Sequence, residues 1–312
     1  MGARRLIGIA PAVVLSGTKQ LGATREVRLR VGYCVPILPQ LASFRLRVSI
    51  PARHLGCAYT IGGAGNPSFF FKQGDVKYAK TLKGAVVYDV VNDHFADGDS
   101  TAYRDMCLLA TRITVASEHM AAVVRMHTGR DSTVIDDPYE NAEDRPTVAG
   151  NTVCWFGHSA NIRSLFKVAE LITVPLIICT NYQHPAATHW TPENERKSLY
   201  ESSAVLLTGS NPGASTNRVV KALRAGRFVV TPGGVESWEQ FAPYIWIGDV
   251  RDGIAWVHNN REEACSKIAA GQEAIRRKYS PQSIGQQWAA LFASTSARGT
   301  SSTKAGYGST SS

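Results

Sequence analysis

Apolar residues come in short continuous blocks along this chain, separated by stretches in which they recur every three or four positions. The blocks VRLRVGYCV (27–35), SFFF (68–71), AVVYDVV (85–91), RITVA (112–116) and STVID (132–136) read as strands. Helical spacing fills the gaps near 75–83, 101–110 and 118–128. A polar, proline-containing break, PYENAEDRPTVAGN (138–151), interrupts the series, and the alternation then restarts. TVCWFG (152–157), VPLIICT (174–180), AVLLTG (204–209), RFVVT (227–231) and YIWIG (244–248) form the second set of strands, with helices at 159–171, 193–200, 216–225 and 237–241. Strands that are apolar throughout, separated by amphipathic helices, imply parallel sheets covered on both faces. Two such sets predict an α/β protein of two Rossmann-like, doubly wound domains, one over 27–145 and one over 150–294. A helical segment at 261–293, broken at Ser280–Pro281, closes the second domain. The first 26 residues read as a leader, and the Ser/Thr/Gly-rich stretch 295–312 as a disordered tail.

Composition agrees with this division. The 312 residues are 44% hydrophobic and 19% charged, enough for two domains with their own cores. No apolar run reaches the ~20 residues that span a bilayer, so no transmembrane segment is expected. The opening MGARRLIGIAPAVVL resembles a secretory signal, but Pro11 interrupts it and no small-x-small cleavage site follows at once. Six cysteines lie scattered without a CxxC pair or zinc-ligand spacing. Buried free thiols and a cytoplasmic location follow as expectations. No metal site is expected.

Charge is uneven. Of the net +9, most lies in residues 1–54, which carry nine basic side chains and a single acid, Glu26. Such an excess suits an anionic partner, or a solvated basic leader. Neither a zinc-finger spacing nor an RNP-like strand accompanies it.

The strongest chemical signal is AVLLTG followed by the loop SNPGA and then STNRVVKALRAGRFVV: strand, small-residue loop, helix, strand. A helix N-terminus after such a loop offers unpaired backbone N–H groups and the positive end of the helix dipole to an anion. Ser215 or Thr216 is the expected N-cap, with Asn217, Arg218 and Lys221 in the first turns. An ordinary solvated connection would have the same composition. After the first strand of the second domain come Gly157, His158, Ser159, Asn161 and Arg163, where phosphate or sugar could be touched; Ser159 could equally be only an N-cap. VVYDVVNDHF puts Asp89, Asp93 and His94 at the C-terminal end of a strand, the end that faces the ligand crevice in open α/β sheets. There they could position or deprotonate a hydroxyl, or simply cap a turn. Arg45 and Arg47 could clamp a phosphate-bearing substrate, or form a solvated face. The glycine-rich IGGAGNPS (61–68) fails G-x-G-x-x-G at Ser68 and precedes a strand, the wrong context for a phosphate loop.

Six segments in order, FFFKQGD, VVYDVVNDHF, TVASEHMAAVVRMHTGRDSTVIDDPYE, WFGHSANIRSL, NRVVKALRAGRFVV and GDVRDGIAWV, resemble the group 1 nucleotide-sugar glycosyltransferases of the GT-B fold. The resemblance runs from about residue 41 to 291. It implies two domains facing a cleft, with a nucleotide diphosphate sugar held by the C-terminal domain as co-substrate rather than cofactor. It also implies transfer to a hydroxyl acceptor held by the N-terminal domain, retaining and without a required metal. Donor contacts fall on Gly157, His158, Asn161, Arg163, Ser215, Thr216, Asn217, Arg218 and Lys221. Asp93 and His94 become the catalytic candidates. Arg45 and Arg47 become the acceptor contacts, suiting an anionic acceptor such as a lipid carrier, envelope polymer or modified nucleic acid. One departure stands out. Where the family carries Glu-x7-Glu, this chain has Gly213 and Lys221, and a lysine has no acceptor to offer a ribose. A non-catalytic nucleotide-sugar or polyanion-binding module on the same fold is the other reading.

Overall fold

The computed structural model describes residues 32–33, 41–56, 60–61, 67–72, 74–96, 100–209, 213 and 215–301, with side chains from 41 to 295 except at 60–61. The first sheet holds β1 (Gly32–Tyr33), β2 (Thr60–Ile61), β3 (Ser68–Phe71), β4 (Val86–Val90), β5 (Arg112–Val115) and β6 (Thr133–Val134). Their order is β2-β1-β3-β4-β5-β6, and every pairing is parallel. The second sheet holds β7 (Val153–Gly157), β8 (Leu176–Thr180), β9 (Ala187–His189), β10 (Ala204–Leu206), β11 (Phe228–Thr231) and β12 (Trp246–Ile247). It is also wholly parallel, in the order β12-β11-β10-β7-β8-β9. All residues of β3, β4, β10 and β11 are buried, which is why these blocks are continuous rather than alternating.

Local chemistry sets the helix boundaries. Ser117 Oγ accepts from Met120 N and starts the helix Glu118–Thr128, which ends where Gly129 turns left-handed at φ 67°. Thr191 caps Pro192–Tyr200 in the same way, with proline at the first turn, where its missing N–H costs nothing. Three stretches differ from the sequence reading. The expected helix 159–171 is three short pieces, Ser159–Asn161, Ile162–Phe166 and Ala169–Leu171. Residues 42–54, not expected to be helical, form a helix whose middle, Arg45–Ser49, is wound as a π-turn. Val250–Asn259 is a further helix, capped by the Asp249 carboxylate on Asp252 N.

The last helix, Pro281–Ser301, runs past the expected start of a disordered tail at 295, and Thr295 is buried. It also belongs elsewhere. Ile284, Trp288, Leu291 and Phe292 pack with Phe44, Phe69, Phe71 and Val87 in the core beneath the first sheet, not the second. Trp288 meets Phe69 edge-on at 5.4 Å. The helix Arg261–Lys278 stays with the second domain through Ala264, Ile268 and Ile275. Across the cleft, His119 Nδ1 lies 2.8 Å from Glu236 Oε2, and Lys278 Nζ 3.2 Å from Asp136. No helix among the described residues is long and apolar enough to cross a membrane.

Candidate active site

Chain order places a switch point in the second sheet: β8 and β9 extend from one side of β7, β10 to β12 from the other. Loops leaving β7 and β10 diverge there, and the crevice between them is where open α/β sheets bind ligands. A cavity of about 510 Å³ occupies this place. Its lining comes from Gly157 at the end of β7 and His158 just after it, Asn217, Arg218 and Lys221 of the helix Asn217–Arg224, Asn181 after β8, His189 at the end of β9, and Trp190 and Glu195 beyond it. The linker adds Tyr139, Glu140 and Asn141, and the first domain covers the cavity with Leu41, Ala42, Arg45 and Leu46.

Arg218 dominates one part. Its Nη2 donates to Thr208 O at 2.9 Å, and its guanidinium lies over the Trp238 ring at 5.1 Å. Nη1 is buried and has no partner among the described residues. Burial pulls the guanidinium down to about 10. A β-carbon at Gly157 would stand 3.1 Å from Nη1 and from the Trp155 ring, so glycine there lets the strand end approach the cation. Thr208 is itself fixed, its Oγ1 accepting from Trp155 Nε1 and Ser164 Oγ, both at 2.9 Å.

Opposite lies a chain of paired charges. Arg45 donates through Nε and Nη2 to both oxygens of Glu140, at 2.8 and 2.9 Å. Lys221 Nζ bridges Glu140 Oε1 at 3.0 Å and Glu195 Oε1 at 2.7 Å. Trp190 Nε1 donates to Glu195 Oε2 at 2.7 Å. Burial works against the charge on Glu140, but Arg45 and Lys221 outweigh it and hold the carboxyl at about 2. Lys221 is likewise opposed by burial and is raised on balance by its two carboxylates.

The structure brings Gly157, His158, Asn161, Asn217, Arg218, Lys221 and Arg45 into one lining. Other expected residues lie elsewhere. Arg163 is exposed and is not part of that lining. Thr216 is buried, interacts with the Tyr279 hydroxyl and caps nothing. Ser215 does the capping: its Oγ accepts from Asn217 N at 3.1 Å and donates to Asp137. The turn after β7 is capped by the His158 ring, Nδ1 accepting from Ala160 N at 3.2 Å, and not by Ser159. Arg47 is not a clamp at all. It is buried under the first sheet, paired with Asp89 and Asp137 and bonded to Ile135 O. Arg45 faces the cavity but is committed to Glu140. Lys221, expected to face phosphate, is held between two carboxylates. Asp93 accepts from Phe95 N and Ala96 N at 3.1 and 3.2 Å, capping a turn, and His94 stacks on Tyr103 at 4.3 Å; neither lines the cavity. Residues 62–66 of the glycine-rich segment, and 210–212 and 214 of the SNPGA loop, lie outside the described residues. Glu140, Asn141, Asn181, His189, Trp190 and Glu195 were not foreseen.

No protein-family model matches the sequence, and no curated protein matches it. Solved structures do share its architecture. HepE of Anabaena in complex with UDP-glucose superposes with a TM-score of 0.67 at 9% identity, over 86% of this chain and 100% of that one. TarM of S. aureus, in complex with fondaparinux, α-GlcNAc-glycerol and UDP, gives 0.56 at 16% identity over 72% of this chain. The match spans about half of TarM, 55% of its length. An α-glucosyltransferase bound to UDP-glucose and DNA with an abasic site gives 0.54 at 8% identity, over 73% of this chain and 80% of that one. Two wholly parallel sheets facing one cleft are the GT-B fold, which this chain shares with these structures.

Proposed function

We propose that the protein is a glycosyltransferase that takes a sugar from a nucleotide diphosphate sugar, in the first instance a UDP-sugar, to a hydroxyl acceptor. The observation that carries this reading is Arg218: a buried guanidinium with one nitrogen unpartnered, lining a cavity at the sheet's switch point. An unpaired buried donor is costly, and a ligand oxygen would satisfy it. When the bond between the anomeric carbon and the diphosphate breaks, negative charge collects on the departing phosphate oxygen, and a charged donor fixed beforehand lowers that barrier. The acceptor oxygen takes the place of the diphosphate and its proton leaves. Assignment of that proton to His94 rests on its place after β4 alone. Retention of configuration and independence of metal rest on the sequence resemblance. The ligands named for HepE, TarM and the α-glucosyltransferase favour UDP among nucleotides.

Calorimetry with UDP and a hydrolysis assay with UDP-sugars test the reading. Wild-type protein should bind UDP, and Arg218→Ala should weaken it by about 1.5–3 kcal/mol, the range for a charged hydrogen bond. Equal affinity in the two proteins would remove the diphosphate from this cavity. UDP binding without transfer or hydrolysis of any UDP-sugar would favour the non-catalytic module.

A further inference from the structure

The cavity has a second unsatisfied group, of the opposite kind. Asn141 lines it, and its Oδ1 is buried with no donor among the described residues, while its Nδ2 is already used, donating to Lys221 O at 3.1 Å. That bond fixes which way the amide faces, so the orphan is an acceptor. Arg218 presents an orphan donor; Asn141 presents an orphan acceptor. A ligand that completes both carries an acceptor oxygen at one end, an anionic one making the strongest bond to a guanidinium, and an O–H or N–H group at the other.

Glu195 adds to the acceptor end. Each of its oxygens accepts one hydrogen bond, from Lys221 and from Trp190, which leaves a lone pair on each. Glu140 is less suited, because its Oε1 already accepts from both Arg45 and Lys221. Lys221 here serves the carboxylate: the ammonium neutralises Glu195 and keeps it in place at the cavity wall.

We infer that Asn141 and Glu195 recognise the ribose hydroxyls of the donor, so that this site selects ribonucleotides over deoxyribonucleotides without a carboxylate at position 221. The inference rests on the nucleotide-sugar reading above. It names two residues from outside the helix that carries Arg218, one on the linker between the domains and one on the helix Pro192–Tyr200. Recognition of the ribose therefore depends on the linker lying against the second domain.

The test compares UDP with 2′-deoxy-UDP and 3′-deoxy-UDP by calorimetry, in wild type, Asn141→Ala and Glu195→Gln, with inorganic pyrophosphate as a third probe. Wild type should prefer UDP over at least one deoxy analogue by roughly tenfold, the loss expected for one hydrogen bond to a buried or charged acceptor. The preference should collapse in at least one variant, with pyrophosphate binding kept in both. A merely structural role for these side chains would weaken UDP and its deoxy analogues alike and leave the ratio intact. An unchanged ratio in both variants, or no preference in wild type, overturns the inference and leaves the UDP-sugar reading standing. Failure of wild type to bind UDP at all overturns both.

Discussion

The guanidinium of Arg47 holds both carboxylate oxygens of Asp89, Nη2 to Oδ1 at 2.6 Å and Nε to Oδ2 at 3.0 Å, with both side chains fully out of solvent. Thr114 Oγ1 adds a third bond to Oδ1 at 2.7 Å, and the Trp288 ring lies 5.1 Å from the guanidinium. The pair ties the helical segment 42–54 to β4, and through Asp137 to the linker. Removing one partner strands a buried charge. Arg47→Met should therefore destabilise the protein by about 3–5 kcal/mol, while Arg47→Met combined with Asp89→Leu should cost less than the two single changes added together. Urea titrations of the four proteins measure this cycle. Strict additivity would mean the pair is not coupled.

Glu140 predicts an acid limit. Its carboxyl is lowered from 4.5 to about 2, because Arg45 and Lys221 outweigh the effect of burial. A group depressed in the folded state contributes stability above its unfolded value and loses it as pH falls through the folded one. The contribution is thus present in full above pH 4.5 and fades toward about pH 2. Thermal melts of wild type and Glu140→Gln across this window should converge at the acid end. A constant difference between them would assign the loss to other groups.

His94 is tested by activity once a UDP-sugar substrate is in hand. If it takes the acceptor proton, His94→Ala should lower turnover by roughly a hundredfold or more and leave UDP affinity unchanged. A fully active variant removes it from the chemistry and leaves it as a ring stacked on Tyr103.

Thiol reactivity should follow burial. Cys107 and Cys154 are fully buried, and burial raises both thiols, that of Cys107 to about 12. Cys265 is partly exposed. Iodoacetamide labelling of the native protein at pH 8, read by peptide mass spectrometry, should modify Cys265 well before Cys107 or Cys154. Early labelling of Cys154 would show that the second domain opens locally.

Periodicity carried the fold because the central strands β3, β4, β10 and β11 are buried throughout and so are written as apolar blocks, whereas β2 (Thr60–Ile61) and β9 (Ala187–His189) carry no such block and were not expected. Ser117 and Gly129 mark the helix Glu118–Thr128 by residue type alone. Segment 42–54 was missed because Arg45 and Arg47, two apart, read as one basic face; a helix sends the first to the cavity and the second into the core. The carboxylates of the site were invisible for a different reason. Glu195 reads as an ordinary acid in a helix's first turn and Glu140 as part of a polar linker. Only the approach of three segments distant in sequence gives them Lys221 as a common partner. Lys221 itself was legible as unusual, since it breaks the acidic pattern of the resembling family. The sequence does not say what holds it.

Return of the helix Pro281–Ser301 to the first domain bears on how the chain is made. Phe69 and Phe71 are synthesised early, yet the side chains that cover them, Trp288 and Phe292, come more than two hundred residues later. During vectorial synthesis at ~5–20 residues per second, the first domain therefore waits on the order of ten seconds or more with an open apolar face. The second domain, whose core is made of its own residues, can finish before it. The order of completion in the cell is then the reverse of the order of synthesis, and a nascent chain lacking its last helix presents those aromatics to whatever chaperone meets it first.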